Sequence, residues 1–317
     1  MKKRNIAFAA LGVAAGAVAV KMLTRADTVA FEGVRELIPH SDRSNFVHVD
    51  GMRIHYQDFG DATAPPVILI HGYTASSYSW HRSAPRVASA GFRVIAVDLV
   101  GYGFSDKPRH FEYTIDAQAR MITRFMDRLG IGAATLVGCS YGGAIGAVIA
   151  LDSPERVEKL VLVDAVINDD LKSHPILRIG SVPGIGEVIT PFVADSRAMI
   201  RYRSQGTLAP ANHHLITDER IEAILRPLHA ADGHRSLLAT SRNWHAERIT
   251  RDAHHITQPT LIVWGEEDTV IPIRDGYILR ESIAGSRLVV IKECGHVPQE
   301  EKPELFSKLV SEFCVTG

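Results

Sequence analysis

Six short, mostly apolar runs limit how this chain can fold: Val67–Ile70, Arg93–Val97, Ala134–Val137, Val157–Val163, Thr260–Trp264 and Arg287–Ile291. Each is too short for a buried helix, and most are rich in β-branched residues. Such runs read as strands covered on both faces, the condition of a parallel sheet. Segments of helical spacing lie between them. Thr114 is placed to cap a helix on which Ala119, Ile122, Phe125, Met126 and Leu129 recur along one side, and Gly130 can close it. Helices are also expected over Ser79–Ala90, over Ile273–Ile283 and after Pro303. Earlier in the chain, Phe46–Val49 and Met52–Tyr56 alternate around Asp50-Gly51, a hairpin signal. Strands alternating with helices predict a mostly parallel α/β sheet with right-handed crossovers.

One junction in this pattern carries chemistry. The run ending at Val137 leads into Gly138-Cys139-Ser140-Tyr141-Gly142, and small residues follow to Ala150. Strand, G-x-S-x-G turn and helix together are the context of a nucleophile elbow. The turn forces the serine backbone into a sparsely allowed conformation, and Gly138 and Gly142 lack the Cβ that would block close approach. Ser140 Oγ would then stand at a helix N-terminus, where backbone N–H groups can meet a developing oxyanion. A serine hydroxyl needs a base, and the base needs a group to orient it. Two later strand ends offer these: Gly265-Glu266-Glu267-Asp268 and Glu293-Cys294-Gly295-His296-Val297-Pro298. His296 is the expected base and Asp268 the expected acid. Asp164, at the end of the strand after the elbow, is the alternative acid.

These pieces resemble the α/β-hydrolase superfamily from about Phe46 to the C-terminus. The resemblance is carried by His71-Gly72; Asp98-x-x-Gly101-x-Gly103-x-Ser105; Gly138-x-Ser140-x-Gly142-Gly143; Gly265-x-x-Asp268 with Ile271-Pro272; and Gly295-His296-x-Pro298 with Glu301-x-Pro303, in the family's order. It implies an eight-stranded-type sheet with helices on both faces and an inserted, mostly helical cap. It further implies a Ser140, Asp268, His296 triad and an oxyanion hole made by the backbone N–H groups of Tyr73 and Tyr141. His71 is expected to hold the loop under that hole, and Asp98 to organise the loop after its strand. No cofactor is expected and no metal: His213-His214 and His254-His255 have no cysteine or carboxylate partner at ligand spacing.

The strand–helix rhythm lapses between Val166 and about Gln258. The organisation expected is a signal anchor or signal peptide over 1–25, a linker over 26–45, a core in two parts over 46–165 and 259–317, and a helical cap over 166–258. Within the cap, helices are expected at Asp218–Leu228 and Arg235–Ile249. At the start, Met1-Lys2-Lys3-Arg4 precedes Ile6–Val20, which is wholly apolar or glycine. As a helix that run spans about 22 Å at the standard rise, short of a ~30 Å hydrocarbon core. Lys21 can snorkel and let Met22 and Leu23 extend it. An anchor, a signal cleaved after Ala17-Val18-Ala19 and a plain cytosolic helix all fit this pattern. The first two place the catalytic body outside the cytoplasm, since the leading charges outnumber those just after the run.

A net charge of -1 with no basic stripe argues against nucleic acid as a partner. The 3 cysteines are odd in number and widely spaced, so no disulfide framework is indicated, and Cys139 reads as a small buried filler. Relatives with similar loops that open epoxides or carbon–halogen bonds use Asp as nucleophile. Ser140 points instead to acyl transfer. The expected activity is carboxylic ester hydrolysis of esterase or lipase type, on a small-molecule or lipid ester, with membrane association through the N-terminus. The apolar stretch Ile176–Val193 would either face acyl chains or pack on the sheet edge. Hydrolases of carbon–carbon bonds in ring-fission products also use Ser, but they commonly carry an aromatic residue after the catalytic His, where this chain has Val297. A cofactor-free haloperoxidase and a slow-turnover receptor are further readings on the same fold.

Overall fold

The computed structural model describes residues 28–170 and 181–316. Eight strands form one sheet: β1 (Ser44–Val49), β2 (Met52–Phe59), β3 (Pro66–Ile70), β4 (Arg93–Val97), β5 (Ala134–Cys139), β6 (Val157–Val163), β7 (Thr260–Gly265) and β8 (Arg287–Ile291). Their order across the sheet is β1-β2-β4-β3-β5-β6-β7-β8. The pairs β1/β2 and β2/β4 are antiparallel, and every other pair is parallel. Asp50 (φ 49°) and Gly51 (φ 80°) turn the β1/β2 hairpin. Two positive φ values in succession are what a tight hairpin of right-handed twist requires.

The helices in chain order are α1 (Ala84–Ser89), α2 (Ile115–Arg128), α3 (Tyr141–Asp152), α4 (Ile185–Ala194), α5 (Arg197–Thr207), α6 (Asp218–Leu225), α7 (Ala231–Arg242), α8 (Glu247–Asp252), α9 (Ile273–Ser282), α10 (Pro298–Glu301) and α11 (Pro303–Val315). Strand alternation divides the core into two layers. Ile68 and Ile70 of β3 join Phe125 of α2, Ile145 of α3 and Leu279 of α9 on one face. Val67 and Leu69 join Val87 of α1 with Phe306 and Val310 of α11 on the other. The Thr114 hydroxyl caps α2 by accepting the Ala117 N–H, and Gly130 beyond the helix has φ 69°. The helices α4 to α8 are inserted between β6 and β7 and form the cap.

Three expected helices come out differently. Ser79–Ala90 is a 3-10 turn, Ser77–Trp80, followed by α1. Asp98 Oδ1 draws the Ser77 N–H to 2.6 Å and Trp80 is fully buried, while Pro85, which has no N–H to contribute, starts a new first turn. Arg235–Ile249 is split into α7 and α8. Trp244 turns into the core, the Asn243 amide donates to Glu112 O, and the Ala246 N–H is taken by Asp169 Oδ1. Asp218–Leu228 changes to a 3-10 turn at Arg226, next to Pro227.

The segment 26–45, from residue 28 onward, lies against the body: Phe31 is buried among Phe46, His55 and Phe104. The 1–25 segment and residues 171–180 lie outside the described residues. The described part of the apolar stretch Ile176–Val193 folds largely as α4, which presents Ile185, Val188, Ile189 and Phe192 to solvent at 47, 47, 36 and 41 % exposure. Among the described residues, no helix is long and apolar enough to cross a membrane.

Candidate active site

Four parallel strands end close together. β5 delivers Ser140, β6 Asp164, β7 Asp268 and β8 His296. Ser140 sits between β5 and α3 at φ 54°, ψ -116°. That conformation is costly for a residue with a Cβ, and its surroundings over-determine it. The Ser140 N–H donates to Val163 O at 2.9 Å, and its carbonyl accepts from Gly143, Ala144 and Val166 N–H groups. The flanking glycines are obligatory on steric grounds: a Cβ on Gly142 would lie 2.1 Å from Ile70 O, and one on Gly138 would lie 2.2 Å from Gly142 O. As the first residue of α3, Tyr141 has an N–H with no acceptor inside the helix.

His296 and Asp268 meet directly. His296 Nδ1–H donates to Asp268 Oδ2 at 2.8 Å, while Asp268 Oδ1 accepts the Val270 and Ile271 N–H groups at 2.7 and 3.1 Å. The histidine is also fixed through its backbone: its N–H donates to Thr207 O of the cap at 2.8 Å, and its carbonyl lies 3.8 Å from the Sγ of Cys139, the residue before Ser140. Burial pushes the Cys139 thiol well up, so it stays a neutral filler.

The loop after β3 brings Tyr73 to the same place. A Cβ on Gly72 would stand 3.1 Å from Ser140 Cβ, so this backbone runs beside the serine. His71 is wholly buried. Its Nε2 accepts the Leu99 N–H at 3.1 Å and its Nδ1–H donates to Gly72 O at 2.8 Å. Burial depresses its pKa, which keeps the ring neutral in this bridge. Asp98 accepts from His55 Nδ1, Ser77 N–H and Phe104 N–H, and so ties the glycine-rich loop together. Burial alone would raise the Asp98 pKa, but His55 and the Phe104 N–H hold it well below the usual carboxylate range.

Asp164 lies in the same cluster. Ligand-type atoms of Asp164, Asp268 and His296 fall within 4.8 Å of one another, the one grouping of this kind among the described residues. The His296–Asp268 hydrogen bond already occupies two of those groups. His213 Nε2 instead faces the Gln205 and Leu208 carbonyls, and the His254 and His255 rings lie against each other on the surface.

Several neighbours of the site show their contacts only in the folded structure. The Trp244 ring of the cap lies tilted 5.0 Å from Tyr141 and edge-to-face 5.7 Å from Tyr73, centroid to centroid. Arg203 of α5 reaches down to Thr74, its Nη2 donating to Thr74 Oγ1 at 2.8 Å. Among the described residues, no carboxylate pairs with Arg203. Glu301 matched the sequence only as part of a motif. In the structure its Oε1 accepts the Gly295 and Val297 N–H groups beside His296, and its Oε2 accepts the Ala209 N–H and the Asn212 amide of the cap. A carboxylate that binds four N–H donors on two segments shows up only once those segments are folded together.

A family model described as alpha/beta hydrolase fold matches residues 65–181 and 196–303. The 2-hydroxy-6-oxononadienedioate/2-hydroxy-6-oxononatrienedioate hydrolase of Burkholderia vietnamiensis is 31% identical over 294 residues, covering 86% of this chain and 96% of that protein. The solved meta-cleavage product hydrolase of Pseudomonas fluorescens IP01 is 29% identical, with a TM-score of 0.71 over 85% of this chain and 97% of its own. A putative lipase from Acinetobacter baumannii AYE shares the fold at a TM-score of 0.75 and 22% identity, covering 90% of this chain and 96% of its own.

Proposed function

The chain belongs to the alpha/beta hydrolase fold family and is a hydrolase, and from that premise we propose that it cleaves carboxylic esters through an acyl-enzyme on Ser140. The observation that carries this reading is a strained serine at a strand-to-helix turn with the His296–Asp268 pair at neighbouring strand ends. Ser140 Oγ attacks the ester carbonyl while His296 Nε2 takes its proton. Asp268 holds the imidazole with Nδ1 protonated and steadies the imidazolium that forms. The N–H groups of Tyr141 and Tyr73 receive the oxyanion. His296 then protonates the departing alcohol, and water repeats the sequence on the acyl-enzyme.

Apolar acyl chains are the favoured substrates. The stripe Ile185, Val188, Ile189, Phe192 on the cap supports this, because it offers an apolar surface to solvent rather than packing on the sheet edge. The same stripe and the basic-then-apolar sequence over Met1–Val20 support a body held at a membrane outside the cytoplasm, or exported after signal cleavage. Membrane fractionation of the full chain and of a form lacking residues 1–25 tests that placement; equal partition of the two forms would contradict it.

Arg203 favours a second reading, hydrolysis of a carbon–carbon bond in a ring-fission product. A guanidinium with no carboxylate partner among the described residues, hydrogen-bonded to Thr74 next to Tyr73, suits a substrate carrying its own carboxylate. The relative that is 31% identical is named for substrates of this acidic kind.

One experiment separates the two. Purified protein and Ser140→Ala are offered p-nitrophenyl esters of rising acyl length and a coloured dienol ring-fission product. Ester turnover that falls by roughly 10⁴-fold or more in Ser140→Ala is the expected result, the scale of losing a triad nucleophile. Turnover of the dienol alone would replace the ester reading with the second one.

A further inference from the structure

We propose that Asp164 carries a proton and donates it to Asp268, so that the two carboxyls bear one negative charge and Asp268 stays ionised and aimed at His296. This rests on the triad roles assigned above. Asp164 ends β6 at φ 42° with no exposed surface. Its Oδ1 accepts the Gly265 N–H at 2.9 Å. Its Oδ2 is buried and, among the described residues, faces no donor group, yet the Asp164 carboxyl lies within the 4.8 Å cluster with Asp268 and His296. No Lys or Arg side chain forms an ion pair with it among the described residues. The other titratable groups turned toward it are Glu301 of α10 and the thiols of Cys139 and Cys294, the thiols held neutral by burial.

Two carboxylates this close and this dry cannot both ionise without a cation to offset them. A proton between them removes the repulsion and supplies the donor that Asp164 Oδ2 otherwise lacks. Donor counts say which partner keeps it. Asp268 receives three N–H groups, from Val270, Ile271 and His296, whereas Asp164 receives one. The anion belongs where the donors are. Burial first, and the Asp268 charge second, push the Asp164 carboxyl well above the carboxylate range, in line with this assignment. Asp164 touches no reacting atom. It acts through Asp268, holding that side chain in place and keeping a second charge away from the imidazole.

The test combines infrared spectroscopy on aspartate-labelled protein with the kinetics of Asp164→Asn and Asp164→Ala. The wild type should show the carbonyl band of a protonated carboxylic acid at neutral pH, and Asp164→Asn should lack it. Asn can still donate from its amide, so Asp164→Asn should keep a near wild-type kcat and pH profile. Asp164→Ala should lower kcat on the order of tenfold, as when the partner that orients a first-line group is lost, with KM steady and the acid limb of kcat/KM moved to higher pH. Absence of the band in the wild type would overturn the proposal. So would an Asn variant as damaged as the Ala variant, or an active Asp268→Asn beside a dead Asp164→Asn, which would make Asp164 the catalytic acid. The band needs neither turnover nor a folded Ala variant, so failure of the ester assay sinks the ester reading without touching this one.

Discussion

At the scale of single residues, the site is a set of polar groups whose partners lie far away in sequence. Asp164 has the largest consequence outside catalysis. Its folded pKa is raised, so the native state binds a proton that the unfolded chain releases near pH 4. The stabilisation this gives is complete below that pH and fades as pH rises toward the folded pKa. The wild type should therefore lose denaturant midpoint from about pH 4 upward relative to Asp164→Asn, which has no proton to bind there. Parallel midpoints for the two proteins across that range would show that Asp164 is already ionised in the native state. Ser140, Asp268 and His296 each follow a readable strand in a short motif, and the structure brings those strand ends together. The proton on Asp164 could not be read from the sequence, because it depends on a distance between two strand ends. Arg203 was equally hidden: it is an ordinary helix residue until the cap folds over the loop after β3.

At the scale of elements, apolar runs identified the strands because sheet interiors are dry on both sides, and the buried β4 begins and ends at the residues its sequence suggests. The hairpin and the cap of α2 were legible for the same kind of reason, since Asp50-Gly51 and Thr114 act through their immediate neighbours. Helix interruptions were not. The break before α8 is made by Trp244 packing and by a hydrogen bond from Ala246 to Asp169, partners 77 residues apart. The helix α4 carries its own prediction. Its outward Ile185, Val188 and Ile189 follow helical spacing, and they make a stripe that a soluble surface does not need. Changing all three to Ser should leave stability within about 0.5 kcal/mol per site, as exposed positions do. Binding to phosphatidylcholine vesicles should weaken by an order of magnitude or more, at roughly 1 kcal/mol lost for each half-exposed side chain. Hydrolysis of a short, dissolved ester should not change. Unaltered vesicle binding would leave the stripe without the lipid role given to it.

At the scale of the whole molecule, one carboxylate joins two bodies. Glu301 accepts N–H groups from the loop that carries His296 and from the cap segment around Ala209 and Asn212. Replacing it with Ala orphans buried donors at about 1–3 kcal/mol each. Chemical denaturation of Glu301→Ala should show a loss of several such increments, and kcat should fall with it because the histidine loop loses its support. A variant as stable as the wild type would mean that the junction is held elsewhere. The backbone tells the same story: Thr207 of the cap accepts the His296 N–H, and the Thr269 hydroxyl donates to Gly206 O. The far end of α5 is thus bonded to the loops that carry the catalytic residues, whereas α4 turns apolar side chains to solvent. The cap is therefore not uniformly attached to the core. Its two ends are held by different partners, α5 by the catalytic loops and α4 by Arg242 of α7 through Glu187, so a change on the apolar side of α4 is passed to the His296 loop only by way of the rest of the cap.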